Sequence, residues 1–360
     1  MEELNELLEI MVFKKASDMH LRSATNVILR VDGKLQPLED KKFTLQEMEK
    51  ITVAIMTQKQ RETFAMKGEC DLSYSASGIG RFRGNIYRQR GSINIAFRYV
   101  PTEIPDIESL GLPPVVKKIS DNQRGLILVT GTTGCGKSTT LASMIDHINT
   151  SRSSHIITLE DPIEFLHKDK NSIISQRELG IDTTSYPEAL KHIVRQDPDV
   201  ILVGEMRDTD TMSAALTAAQ TGHLVLSTIH TIDAMQTVTR IVDMFPPHHQ
   251  NQIRFQLSDT LKGVISQRLL PKVNGGRVPA CEVLVVTALV RKHMEQNTMN
   301  DILQAMRQGT YYGMQTFNQA LLNLYNSGQV SLEDALAAAT NPEELMMNIR
   351  GITSDSGATV

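Results

Sequence analysis

Tryptophan is missing altogether, and aromatic residues of every kind make up 4% of the 360-residue chain. Stacking platforms for single-stranded nucleic acid therefore have little to be built from. A formal net charge of −4 also argues against a protein that coats nucleic acid electrostatically. No run of about 18 apolar residues occurs, so nothing is expected to span a membrane. Nor does the chain open like a secretory leader. Glu2 and Glu3 come first, and Leu4, Leu7, Leu8, Met11 and Val12 then alternate with polar residues at helical spacing. Three cysteines (Cys70, Cys135 and Cys281) are odd in number and far apart, which fits a reducing cytoplasm and makes no metal-ligand set. Repeats and low-complexity blocks are also lacking. Hydrophobic content of 41% is ample for packed cores, and the length suggests two or three domains. The expectation is a cytoplasmic enzyme.

The most informative stretch is Gly131-Thr132-Thr133-Gly134-Cys135-Gly136-Lys137-Ser138-Thr139. It contains Gly-x4-Gly-Lys-Ser, the phosphate-binding loop of nucleoside triphosphatases. Apolar residues 126–129 read as a buried parallel strand that feeds the loop. Leu141, Met144, Ile145 and Ile148 then recur at helical spacing, which predicts a helix from about Lys137. Strand, loop and helix are the context the motif requires, and a mere glycine-rich turn with a surface lysine would not need it. Gly131, Gly134 and Gly136 let the backbone curl its N–H groups inward at the positive end of the helix dipole. Thr132, Thr133, Gly134, Cys135, Gly136, Lys137, Ser138 and Thr139 are the expected ATP contacts. Lys137 should reach the β- and γ-phosphates and the Ser138 hydroxyl should sit on Mg²⁺.

Before this stretch, residues 2–15 read as an amphipathic helix and 27–35 as a short hairpin turning at Asp32-Gly33. A second helix is expected from Thr44, paired with Glu47 in a capping box, to near Phe64. Residues 72–74, 81–87 and 93–99 read as strands. This predicts a small α+β domain over 1–100. Pro101, Pro105, Pro113 and Pro114 suggest a linker over 101–114. Apolar strands then alternate with helices over 115–288, the signature of a parallel sheet covered on both faces. Strands are expected at 126–129, 156–159, 200–203 and 224–229, with a hairpin at 267–270 and 280–286. Asp208 should cap a helix. Residues 289–352 read as helices and 353–360 as a flexible tail.

Further chemistry is expected at the carboxyl ends of such strands. Val200-Ile201-Leu202-Val203-Gly204-Glu205 is a Walker B pattern whose acid, Glu205, follows a glycine. That carboxylate would hold Mg²⁺ or its water. Glu160-Asp161-Pro162-Ile163-Glu164 can supply the acceptor or orienting group that a water attacking a γ-phosphate needs; a charged, solvated loop is the alternative. Thr221-Gly222-His223 and Ser227-Thr228-Ile229-His230 form a third cluster. A histidine at a strand end can report on the γ-phosphate, and for His223 a structural role stands beside that one. Arg81 and Arg83 are two apart and share a strand face. They are either solvated or, acting in trans, stabilise charge on a transferring phosphoryl group.

Together these motifs resemble the secretion ATPase superfamily, the motors of type II and type IV secretion and of type IV pili. The resemblance rests on Ala16-Ser17-Asp18-Met19-His20-Leu21, the phosphate loop, Thr158 through Glu164, Asp199 through Glu205, and Thr221 through His230. The chain looks most like the pilus retraction ATPases of twitching motility. Asn300-Asp301-Ile302-Leu303-Gln304-Ala305-Met306-Arg307 loosely matches the element those motors carry. The resemblance implies a PAS-like N-terminal domain, a RecA-like P-loop ATPase domain (α/β) and a helical C-terminal region. It implies a homohexamer that binds ATP and Mg²⁺ at the cytoplasmic face of the inner membrane. Its partners would be a pilus platform protein and, indirectly, pilin. It also implies Glu164 as catalytic base, Glu205 as Walker B acid, His230 near the γ-phosphate, and Arg81 and Arg83 acting in trans.

Three competing readings have their own marks. Assembly and secretion ATPases of the same superfamily usually carry a longer N-terminal domain and a four-cysteine zinc element, whereas Cys281 stands alone. A RecA-like nucleic-acid motor would show DNA-stimulated hydrolysis. A nucleotide-sensing scaffold would release little phosphate.

Overall fold

The computed structural model describes residues 1–351, and the tail expected at 353–360 lies outside them. The chain divides into two compact units, Met1–Thr102 and Glu103–Val360.

In the first unit α1 (Glu2–Phe13) buries Leu4, Leu7, Leu8 and Met11. The strands are β1 (Asp18–Arg22), β2 (Asn26–Val31), β3 (Lys34–Lys42), β4 (Glu69–Ala76), β5 (Gly80–Gln89) and β6 (Ser92–Val100). They form an antiparallel sheet in the order β3-β2-β1-β6-β5-β4. Asp32 and Gly33 both have positive φ, the tight turn that a two-residue hairpin between β2 and β3 requires. The helix expected from Thr44 to Phe64 is two helices, α2 (Leu45–Ile55) and α3 (Gln58–Lys67). Met56 is extended between them, and Thr57 with Gln60 forms a second capping box like that of Thr44 with Glu47. That second box restarts the helix. Alternate strand residues, among them Leu72, Phe82, Ile86, Ile95 and Phe97, join the helices in one core.

The second unit carries β7 (Gly125–Thr130), β8 (His155–Glu160), β9 (Ile173–Glu178), β10 (Val200–Val203), β11 (Leu224–Ile229), β12 (Leu261–Pro271) and β13 (Arg277–Val285). Their order is β13-β12-β7-β11-β10-β8-β9, parallel except where β13 runs against β12. Six helices intersperse them: α4 (Val115–Ser120), α5 (Lys137–Ser151), α6 (Tyr186–Ile193), α7 (Thr209–Gln220), α8 (Ala234–Asp243) and α9 (Pro247–Thr260). Along β7, Leu126 and Leu128 enter one core while Ile127 and Val129 enter the other. The sheet is therefore covered on both faces, which is why its strands read as unbroken apolar runs. The proline-rich stretch expected as a linker belongs largely to this unit, because Ile107 and Leu112 are buried in the second of those cores. After β13 come α10 (Ala288–Gln296), α11 (Met299–Gln308), α12 (Phe317–Asn326), α13 (Leu332–Ala337) and α14 (Pro342–Ile349). A short bridge from Gln315 to Val283 fastens this helical region to β13. No helix among the described residues is long and apolar enough to cross a membrane.

Candidate nucleotide site

Four adjacent strands, β7, β11, β10 and β8, deliver their carboxyl ends to one edge of the second sheet. The phosphate loop leaves β7 and enters α5, whose N-cap, Gly136, is left-handed (φ 96°) and offers no side-chain cap. The first N–H groups of α5 are thus left to an anion. Gly131 is required by contact as well as by its φ of 138°: a Cβ there would lie 2.5 Å from Cys135 Sγ and 2.6 Å from the Gln267 carbonyl oxygen. Thr132, Thr133 and Gly134 are exposed, Cys135 is buried, and Gly136 through Thr139 are half-buried. Lys137 Nζ donates to the carbonyls of Gly131 (2.9 Å) and Thr132 (3.0 Å), so the lysine lies along its own loop.

Glu205 follows β10 and His230 follows β11. The strands are zipped at this end by Ser227 Oγ donating to the Val203 carbonyl (2.6 Å) and Thr228 Oγ1 to that of Gly204 (2.7 Å). His230 Nε2 consequently lies 3.3 Å from Glu205 Oε1. On the other oxygen, Arg207 Nη2 approaches to 2.7 Å. Burial pushes the Glu205 carboxyl up. The Arg207 hydrogen bond and the charges of His230, Arg207 and Lys137 outweigh it, and the net shift is downward. Glu205 is therefore an anion, paired with Arg207 and within the field of the loop lysine. A Cβ on Gly204 would meet the Tyr186 hydroxyl at 3.0 Å and the Leu159 carbonyl oxygen at 3.1 Å. This accounts for the glycine that precedes the acid.

At the end of β8, Glu160 accepts from Thr158 Oγ1 (2.7 Å) and Gln176 Nε2 (3.1 Å). It also accepts from the Glu164 backbone N–H, while burial raises its carboxyl above the usual range. Glu160 thus anchors the loop on which Glu164 is exposed.

One expectation lands elsewhere. His223 precedes β11 and so lies at the opposite, amino-terminal edge, roughly 20 Å away along a six-residue strand. There its Nδ1 is 2.9 Å from the Ala218 carbonyl oxygen and its own carbonyl accepts from the Gly125 N–H. The geometry is that of the structural alternative. Arg81 and Arg83 lie in the first unit, on the face of β5 opposite Phe82 and Ile86, with Arg83 in register with Arg98. Sequence reasoning missed Arg207 and Tyr186. Arg207, two residues beyond Glu205, is close enough in sequence to be considered, but its spacing does not show which way it turns; Tyr186, a helix start distant in sequence, gives no signal.

This geometry has counterparts among known proteins. The family model described as type II/IV secretion system protein matches residues 1–348. The type IV pilus retraction ATPase PilT of Pseudomonas aeruginosa is 42% identical over 95% of this chain and 99% of its own length. The type IV pilus ATPase PilU of the same organism is 39% identical over 98% and 93%. A crystal structure of the pilus retraction motor PilT with bound ADP superposes with a TM-score of 0.88 at 46% identity, over 95% of this chain and 98% of that one. With strand order, loop and acid all in place, the conclusion is that the chain belongs to the type II/IV secretion system protein family.

Proposed function

We propose that this chain is the ATP-hydrolysing motor of type IV pilus retraction, working as a homohexamer at the cytoplasmic face of the inner membrane. The observation that carries this reading is the gathering of the phosphate loop, Glu205 and His230 at one sheet edge in a chain so similar to a pilus retraction ATPase. The backbone of residues 132–139 and the Lys137 ammonium receive the phosphates, for which Lys137 must leave the carbonyls of Gly131 and Thr132. Among the described residues no three His, Cys, Asp or Glu side chains converge to cage a metal by themselves. Mg²⁺ is commonly held by one or two carboxylates and the substrate's phosphates, and the hard oxygens of Ser138 and Glu205 fit that pattern. Bound there, Mg²⁺ would neutralise charge on the β- and γ-phosphates. Glu164 accepts the proton of the attacking water, and Glu160 positions Glu164 by holding its backbone. His230 contacts the γ-phosphate and passes its presence to Glu205. Arg81 and Arg83 of a second copy stabilise the transferring charge. Force reaches pilin through an inner-membrane platform protein, with no nucleic acid involved and no membrane insertion by the motor itself. A deletion strain tests the direction of force. Pili that form but cannot retract support this reading, and a bald strain would assign the motor to assembly.

A further inference from the structure

The carboxylate expected to meet Mg²⁺ is engaged on both oxygens, by His230 on Oε1 and by Arg207 on Oε2. Its two partners are built differently. His230 extends β11. Arg207 sits on the turn between β10 and α7, flanked by Met206, whose N–H donates to the Thr228 carbonyl, and by Asp208, which caps α7. The Arg207 side chain is 72% exposed and that of Glu205 19%. The guanidinium can therefore swing into solvent without opening a cavity, whereas the carboxylate stays. Asp161, exposed on the loop after β8, is a second acid whose charge reaches Arg207.

We propose that Arg207 is a latch on Glu205: it competes with Mg²⁺ for the carboxylate and sets how much metal the site needs before nucleotide and metal bind together. A guanidinium at 2.7 Å and a divalent cation cannot share Oε2, since the two positive charges would be forced together. Arg207 is a positioning residue by this account. It keeps Glu205 oriented and charged, and yields it to the metal. The inference rests on the assignment of Glu205 as a Mg²⁺ ligand made above.

The test is a Mg²⁺ titration of the full chain with a fluorescent ADP analogue, paralleled by Mn²⁺ binding followed by electron paramagnetic resonance. Wild type is compared with Arg207→Gln and Arg207→Lys. A partly exposed ion pair is worth up to about 1 kcal/mol, so Arg207→Gln should lower the metal midpoint roughly two- to fivefold. Arg207→Lys should fall between, and affinity in EDTA should be unchanged in all three. An unchanged or higher midpoint in Arg207→Gln overturns the latch. Weaker nucleotide binding in EDTA also overturns it, since the guanidinium would then be a phosphate ligand. Wild-type protein that binds no nucleotide at any Mg²⁺ concentration would remove the ATPase reading as well. Normal wild-type binding with no effect of Arg207 removes only the latch.

Discussion

In Met1–Thr102 an antiparallel sheet buries one face under helices and leaves the other polar. Across that second face a cross-strand row runs Arg30, Asp18, Arg98, Arg83. Asp18 lies 2.8 Å from Arg98 and 3.8 Å from Arg30, while Arg83 stands opposite Arg98 rather than opposite an acid. In the other unit every central strand is buried on both faces, so ionic groups concentrate where strands end. One unit thus presents charge on a strand face and the other at strand tips. A triphosphate whose transition state spreads charge over several oxygens needs more cation than Lys137 alone. Under the proposed function, Arg81 and Arg83 on the strand face of another copy would supply it.

The sharpest way to break this comparison is to remove each kind of cation separately. Lys137→Ala and the Arg81→Ala/Arg83→Ala double variant should each lose about 1000-fold or more in steady-state phosphate release, the lower end of the range for trans-acting arginines. Both should keep near-wild-type melting, because neither substitution empties a core. If the arginines act across copies, the two inactive proteins mixed and reassembled should regain partial activity. Hydrolysis at wild-type level in the double variant would leave the strand face merely solvated. Mixed rings that exchange subunits yet stay silent would place the arginines in their own chain or require every site intact. Linked dimers in both orders separate those outcomes.

How much of this was legible depends on the same contrast. Doubly buried strands announce themselves, and β7, β8, β10 and β11 were readable as apolar runs. So was the meeting of loop, Glu205 and His230, since parallel strands share one carboxyl edge. The strand β9, Ile173–Glu178, escaped because it is an edge strand with Ile173 exposed and a half-buried polar middle. Grouping His223 with His230 in sequence hides the whole strand between them, which leaves His223 with the structural one of its two expected roles. The break at Met56 was hidden inside continuous helical periodicity, though Thr57 and Gln60 spelled out the restart. Prolines 101 to 114 suggest a tether, yet Ile107, Leu110 and Leu112 among them pack onto the core of the second unit. Arg207 turning back onto Glu205 depends on how one short turn folds, and spacing alone does not decide that.

Glu282 is the exception that sharpens the rule, a carboxylate on β13 inside the doubly covered sheet. It accepts from the Ala234 N–H (2.9 Å) and the Phe317 N–H, and burial pushes its pKa up to about 7. The folded value lies above the ordinary 4.5. Its contribution to stability is therefore complete below about pH 4.5 and is lost as pH rises through about 7. From pH 6 to pH 8 wild type should lose about 1 kcal/mol more than Glu282→Gln, or a few degrees of melting temperature. Parallel melting curves for the two proteins across that range would show the carboxylate is not what titrates.

The smallest expected effect concerns Cys135, which belongs to the strand-tip site by position but to the core by packing. The residue is 4% exposed, and its thiol nests beneath Gly131, which the Gln267 carbonyl also approaches. Burial pushes the thiol pKa up and the Lys137 charge offsets that only in part, so the sulfur stays protonated and unreactive. What the loop presents at this position is the backbone N–H. Cys135→Ala should then leave phosphate release within about twofold of wild type while removing about 1 kcal/mol of stability, the order expected for deleting one buried heavy atom. Thermal melts and steady-state hydrolysis on the same sample separate the two effects. A tenfold loss of hydrolysis with unchanged melting would mean that the sulfur, by filling the space under Gly131, sets the curl of the loop itself. Phosphate binding would then depend on a side chain that points away from the phosphate.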